Sequence, residues 1–223
     1  MTPFVVLTMA RSGSHHLLFL LQAHPQVKMR KELLNKTFES LSDDALIAAA
    51  FRVPKRNPPI LASGFKLLQE QLGPRPLTMQ RLLNVPGIRF IVLERKDQLA
   101  RLRFERQAHT VNNWGVRNPP EQPKPSVVLP PYHVDYWLRA ARAYYRQLRE
   151  LPDEQIHWVI TEDMFANQDA VMTGVWNFLG VPNPGHLDVQ SFQQEPRPTS
   201  ATIDNIQELR DYFAGTYYED MIP

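Results

Sequence analysis

The chain has 223 residues, of which 43% are hydrophobic and 22% are charged, with a net charge of +2, as is usual for a globular protein. Its lack of cysteine excludes disulfides, thiol catalysis and cysteine–zinc sites, and its scattered histidines predict no metal site. The weak net charge gives no support for nucleic-acid binding. Because no basic leader and no bilayer-length apolar run is present, we expect a cytoplasmic protein without a membrane span.

The predicted elements alternate between strands and helices along the chain. Four apolar runs predict buried parallel strands, over 4–8, 60–66, 88–94 and 156–161. Helices are predicted over 14–23, 40–51, 76–84, 97–113, 134–149 and 167–179, and from 204 to about 212. Such alternation predicts a three-layer α/β fold, in which a central parallel sheet of four to five strands carries helices on both faces. We expect a single domain over residues 1–223, and the sequence leaves its oligomeric state open.

The first strand–helix connection, Arg11-Ser12-Gly13-Ser14, is the most informative segment of the chain. A tight turn at a helix N-terminus points backbone N–H groups and a positive dipole at one spot, which suits a phosphate or a sulfate. Arg11 adds a guanidinium and the two serines add hydroxyls. The alternative is a turn without a ligand, in which Ser14 caps the helix. The chain lacks the Gly-x-x-x-x-Gly-Lys-Ser/Thr string of a Walker loop, which argues against ordinary nucleoside triphosphatase chemistry.

Other charged residues lie where later strands end. Ligands of parallel α/β sheets bind beyond the carboxyl ends of the strands, and Lys66, Arg95 and residues 162–163 fall there. Arg95 and Arg103 are spaced to share one helix face, which suits a second phosphate and hence a nucleotide phosphorylated at two positions. The alternative is that the basic residues within 95–117 form a solvated helix face. Residues 162–163, Glu-Asp, are interpreted as caps of the following helix.

These strings together resemble a known family. Arg11-Ser12-Gly13-Ser14 is similar to the 5′-phosphosulfate loop of sulfotransferases, and residues 91–114 are similar to their 3′-phosphate segment. Further similar strings lie at 31–35, 64–68, 161–182 and 203–218. The chain is most similar to the bacterial branch that acts on carbohydrates and lipids. The resemblance implies a P-loop-NTPase-like domain that uses 3′-phosphoadenosine 5′-phosphosulfate (PAPS) as donor, releases 3′-phosphoadenosine 5′-phosphate (PAP) and needs no metal.

The resemblance also implies how the donor is bound. Arg11 and the backbone of residues 12–14 hold the 5′-phosphate, and negative charge develops there as the bridging oxygen leaves. One of His15 and His16 donates to the phosphosulfate while the other packs behind it. The 3′-phosphate is assigned to three arginines: Arg95, Arg103 and, in a C-terminal loop, Arg197.

The resemblance also assigns residues to the acceptor step. The resemblance makes Glu32 the general base that takes the proton from an acceptor hydroxyl or amine. Lys66 is expected to neutralise the sulfuryl oxygens in the transition state, and His109 is the reserve base. The alternatives are that Glu32 is a solvated surface residue at the start of a short helix and that Lys66 extends to solvent.

Some features of the chain depart from the family pattern. Arg103 stands where the family usually carries serine, which puts normal turnover in question. The proline-rich segment 115–131 is either an acceptor-site lid or a passive loop. Two rival functions therefore stay open, a nucleotide kinase-like phosphotransferase and a catalytically impaired nucleotide-binding protein of sulfotransferase ancestry. The acceptor, a carbohydrate, lipid or other small molecule, is not specified by the sequence.

Overall fold

A parallel sheet organises the protein, in a computed structural model that describes residues 1–34, 42–110, 125–189 and 198–223. The sheet has the strand order β2-β3-β1-β4-β5, and every neighbouring pair is parallel. This confirms the predicted α/β fold with a five-stranded sheet. The strands are β1 (Thr2–Thr8), β2 (Val27–Glu32), β3 (Ala62–Leu68), β4 (Arg89–Glu94) and β5 (Ile156–Ile160).

Helices connect and flank these strands in the described part of the chain. They are α1 (Ser14–Ala23), α2 (Asp43–Phe51), α3 (Thr78–Leu83), α4 (Gln98–Thr110), α5 (Pro131–Leu148), α6 (Thr161–Ala166), α7 (Gln168–Leu179) and α8 (Ile206–Phe213). Short 3-10 turns lie at Gln69–Gln71, Asp153–Gln155, Ser200–Thr202 and Glu219–Met221. Within the described residues, no helix has the length and apolar character that a membrane crossing requires.

One strand, β2, was absent from the prediction. Its sequence Val-Lys-Met-Arg-Lys-Glu carries only two buried apolar side chains, Val27 and Met29, because β2 lies at the edge of the sheet. A short, charged edge strand has a weak apolar signal, and only its pairing with β3 reveals it. Glu32 is the last residue of this strand, so the alternative that it begins a short helix is wrong.

The segment after β5 also differs from the prediction. The chain turns directly into the short helix α6, and residues 162–163 lie in its first turn. The following helix, α7, is instead capped by Asn167, whose side chain accepts a hydrogen bond from Ala170 N. The interpretation of residues 162–163 as caps of that helix is therefore wrong. A six-residue helix spans less than two turns and leaves no apolar periodicity that a sequence could show.

Two compact units divide the described chain, and each has its own core. The first contains residues 1–94 and 149–189, with the whole sheet, and its apolar core includes Phe4, Leu17 and Trp176. The second contains residues 95–148 and the C-terminal segment, with a core that includes Leu138 and Phe213. The single domain expected from the sequence stays a prediction. Most of the proline-rich segment lies outside the described residues; at its end, Val127 forms a bridge with Ile203.

Candidate active site

The turn between β1 and α1 has an unusual backbone. Thr8 Oγ1 donates to Leu93 O at 2.9 Å and so holds the end of β1 against β4. Arg11 (φ 65°) and Gly13 (φ 78°) both lie in the left-handed region. Left-handed residues at alternating positions help to form the concave backbone that binds anions, and here this backbone precedes a ten-residue helix. The turn therefore has the geometry of an oxyanion cradle.

Hydrogen bonds from elsewhere in the first unit hold this turn. The carbonyl of Ser12 accepts a 2.6 Å bond from Thr161 Oγ1, and the backbone N–H of Ala10 donates to the Glu70 carboxylate at 3.1 Å. Gly13 precedes α1 as its N-cap, so the alternative in which Ser14 caps the helix is wrong. Ser12 is fully buried, and its Oγ has no hydrogen-bond partner among the described residues. A buried hydroxyl without a partner is costly, and a bound anionic oxygen would satisfy it.

A partly buried ion pair lies beside the turn. Lys66 Nζ is 2.7 Å from Glu32 Oε1 and donates to Ser14 Oγ at 3.4 Å. The two residues are register partners on the adjacent parallel strands β2 and β3. Lys66 is 2% exposed, so the alternative that it extends to solvent is wrong. The Glu32 side chain is only 29% exposed, which also contradicts its interpretation as a solvated surface carboxylate.

Gln71 completes the surroundings of Glu32, and sequence reasoning missed it. Its Oε1 accepts a hydrogen bond from Leu68 N at 3.0 Å, which leaves its Nε2 to donate to Glu32 Oε2 at 3.2 Å. Both carboxylate oxygens of Glu32 are thus held, one by a cation and one by a neutral donor. The available signal was a polar side chain three residues after the end of β3, which alone predicts nothing about Glu32.

The two histidines of the turn have different surroundings. Burial, reinforced by the positive charge of Lys66, lowers the pKa of His15 to about 4, so this side chain is neutral near pH 7. His16 is buried, lies 2.9 Å (Nε2) from Gln168 Oε1 and stacks on Phe165. Burial also lowers the pKa of His16. The structure thus gives His16 the position behind the turn.

The remaining described site residues of the sequence analysis belong to the second unit. Arg95 and Arg103 both lie against the Phe104 ring, with Cζ 5.0 Å and 4.3 Å from its centroid. Arg103 is 2% exposed and donates from Nη1 to Thr202 Oγ1 at 2.7 Å. His109 is exposed near the end of α4. Arg197 lies outside the described residues.

One arginine of α4, Arg101, has surroundings that the sequence did not reveal. It is fully buried, and its Nε donates to Gln98 Oε1 at 2.8 Å. Glu105 lies 3.5 Å away, and the Trp137 ring faces the guanidinium at 5.5 Å. These partners show a structural arginine. The alternative that the basic residues of this segment form a solvated helix face is therefore wrong for Arg101 and Arg103.

Comparisons with known proteins agree with this fold. Nodulation protein H of Rhizobium meliloti (strain 1021) is 30% identical over 230 residues, which cover 97% of this chain and 93% of that protein. Nodulation protein H of Rhizobium tropici is 29% identical over 227 residues, covering 97% of this chain and 91% of that protein. No protein-family model matches the chain.

Solved structures show the same architecture. A sulfotransferase from Alicyclobacillus acidocaldarius superposes with a TM-score of 0.56 at 17% identity, covering 96% of this chain and 92% of that one. A mouse sulfotransferase solved in complex with PAP gives a TM-score of 0.51 at 13% identity, covering 99% of this chain and 87% of that one. At these identities the similarity to the solved structures shows the fold alone. The relatives found by sequence show common ancestry. The chain therefore belongs to the sulfotransferase family and is an enzyme of sulfuryl transfer.

Proposed function

We propose that this enzyme takes the sulfuryl group from PAPS and transfers it to a hydroxyl or amine of a carbohydrate, lipid or small-molecule acceptor. The observation that carries the proposal is the continuous contact from Glu32 through Lys66 to Ser14 of the turn. It joins a carboxylate base to a site suited to the departing phosphosulfate oxygen. The solved mouse sulfotransferase with PAP is consistent with this donor.

The donor's 5′ end is assigned to the turn. Arg11 and the backbone N–H groups of residues 12–14 bind the 5′-phosphate and stabilise the charge that develops as the S–O bond breaks. His15, neutral at pH 7, can donate one N–H without adding charge. Arg95, Arg103 and Arg197 are proposed for the 3′-phosphate, and the support for them is the resemblance of their segments.

The acceptor step is assigned to the ion pair. The acceptor oxygen or nitrogen attacks sulfur in line with the bridging oxygen, its proton passes to Glu32, and PAP leaves with the electrons of the broken S–O bond. Lys66 balances charge on the sulfuryl oxygens, and Gln71 keeps Glu32 oriented between two donors. His109 remains the second candidate base.

The proposal is tested by measuring donor binding and turnover in the same preparations. PAP should raise the melting temperature of the wild type, because it binds the folded state alone. Glu32→Gln should lower kcat with labelled PAPS by about 10³-fold, the usual size of a general-base contribution. The affinity for PAP should be nearly unchanged, since Glu32 is assigned to the acceptor step and the glutamine keeps the shape, with its one amide oxygen accepting from Lys66.

The control variant alters a carboxylate far from the proposed acceptor step in sequence. Glu154→Gln removes an exposed carboxylate of the 3-10 turn before β5, and this variant should keep wild-type turnover. Full activity in Glu32→Gln would move the base to His109. Absence of any thermal shift at millimolar PAP would reject the donor, and a Mg²⁺-dependent preference for ATP would favour the kinase-like alternative. PAP binding without transfer to any acceptor would favour the catalytically impaired one.

A further inference from the structure

Thr161, the first residue of α6, touches the Arg11–Ser14 turn at two successive residues. Its Oγ1 donates to the carbonyl of Ser12 at 2.6 Å, across 149 residues of chain. Its methyl lies beneath Gly13, where an added Cβ would come within 2.9 Å of Thr161 Cγ2. Thr161 is 3% exposed, so water does not compete for the hydroxyl.

Peptide planarity links this hydrogen bond to the anion cradle. The carbonyl of Ser12 and the N–H of Gly13 belong to one trans peptide unit and point in opposite directions. Holding the carbonyl toward α6 therefore turns the N–H of Gly13 away from α6. A glycine accepts either orientation of the preceding peptide at little cost, so the local sequence does not choose between them. The reverse orientation would present a carbonyl oxygen to the anion.

We propose that Thr161 is a positioning residue, which locks the Ser12–Gly13 peptide in the orientation that presents the Gly13 N–H to the donor's 5′-phosphosulfate. The inference rests on the proposed function, since it requires that PAPS and PAP bind at this turn. Thr161 acts through Ser12 and does not touch the donor. Its hydroxyl carries the effect, while its methyl supplies packing under the turn.

The experiment compares PAP affinity in two variants that separate the hydroxyl of Thr161 from its methyl. Thr161→Val keeps the branched shape and removes the donor, whereas Thr161→Ser keeps the donor and removes the methyl. By calorimetric titration, we expect Thr161→Val to bind PAP about tenfold more weakly, the size of one hydrogen bond to a charged ligand. Thr161→Ser should retain the wild-type affinity. A purely structural role would instead affect both variants through stability, which thermal melting without PAP measures separately.

Contrary results separate this inference from the proposed function. A wild type that does not bind PAP overturns both. A wild type that binds PAP and loses the affinity in Arg11→Ala, together with an unaffected Thr161→Val, overturns the role of Thr161 alone. Equal losses in the valine and serine variants also overturn it, since the hydroxyl would then be irrelevant. If Thr161→Val does not fold, the pair Thr161→Ala and Thr161→Ser, which differ only in the hydroxyl, must show the same tenfold difference, and equal affinities overturn the proposal.

Discussion

The Arg11–Ser14 turn and helix α4 look alike in sequence, since each offers arginine at a strand end for a phosphate. In the structure they differ. The turn combines two left-handed residues with a buried Ser12 hydroxyl that has no partner in the described chain. In α4, Arg101 is fully buried and donates to the Gln98 side chain, and it has no role in the proposed binding of the donor. The comparison teaches that arginine content alone does not distinguish a ligand site from a buried polar network.

The physical reason is the cost of burying a guanidinium. A buried cation must recover the hydrogen bonds that it loses to water, and α4 supplies acceptors and an aromatic face for that purpose. In the turn, the donors that we propose are backbone N–H groups, whose direction follows from the main-chain conformation and, in our proposal, from the bond that Thr161 donates to Ser12. Such donors face a site whether or not a ligand is present, which is how a preorganised anion site works.

The largest effect is expected from removing the buried arginine of α4. Arg101→Met leaves Gln98 and Glu105 without their cationic partner, so the free energy of unfolding should fall by about 3 kcal/mol. The affinity for PAP should not change, because Arg101 is fully buried among protein groups. Urea denaturation and calorimetric titration measure the two quantities.

The control for that prediction is Arg106→Met, which alters an exposed position of the same helix and should leave stability unchanged. If Arg101→Met loses PAP affinity while its stability is preserved, α4 carries a ligand arginine at that position and the contrast with the turn fails.

At the turn we expect the opposite pattern, in which PAP affinity falls more than stability does. Arg11→Ala should weaken PAP binding about 30-fold, since charge-assisted hydrogen bonds contribute about 2 kcal/mol. Stability should change less than in Arg101→Met, because Arg11 is half-buried whereas Arg101 is fully buried. Lys55→Ala, which removes an exposed cation of the same unit, should bind PAP normally and serves as the matched control for net charge. Unaltered binding in Arg11→Ala would place the 5′-phosphate elsewhere.

The third prediction concerns the dependence of stability on pH. Burial and the charges of Lys66 and Arg11 depress the pKa of His15 from 6.5 to about 4 in the folded protein. The unfolded chain therefore takes up this proton first, and the stabilising contribution of neutral His15 is complete above pH 6.5 and declines toward pH 4. His15→Gln should lose less stability over this interval than the wild type.

Urea denaturation at several pH values measures this difference, and His133→Gln, at an exposed position of α5, should follow the wild-type curve. Parallel curves for the wild type and His15→Gln would show that folding does not lower the pKa of His15.

The sequence was informative wherever local pattern and chemistry coincide. Apolar runs separated by helical periods predicted the parallel sheet, and Arg11-Ser12-Gly13-Ser14 between a strand and a helix predicted an anion site at its edge. The choice of Glu32 came from the family resemblance. The sequence did not reveal the edge strand β2, because its charged residues and two buried apolar positions give too weak an alternation of apolar and polar residues.

By itself, the sequence determined the fold class, the family and a turn that predicts an anion site, because each can be recognised from short strings of neighbouring residues. Tertiary structure decided which residues surround that turn. The pairing of β2 with β3 brings Glu32 to Lys66, the helix after β5 brings Thr161 to Ser12, and packing removes Arg101 from solvent. Such contacts depend on sheet register and on burial across distant segments, and a local pattern of hydrophobic and charged residues does not encode them individually.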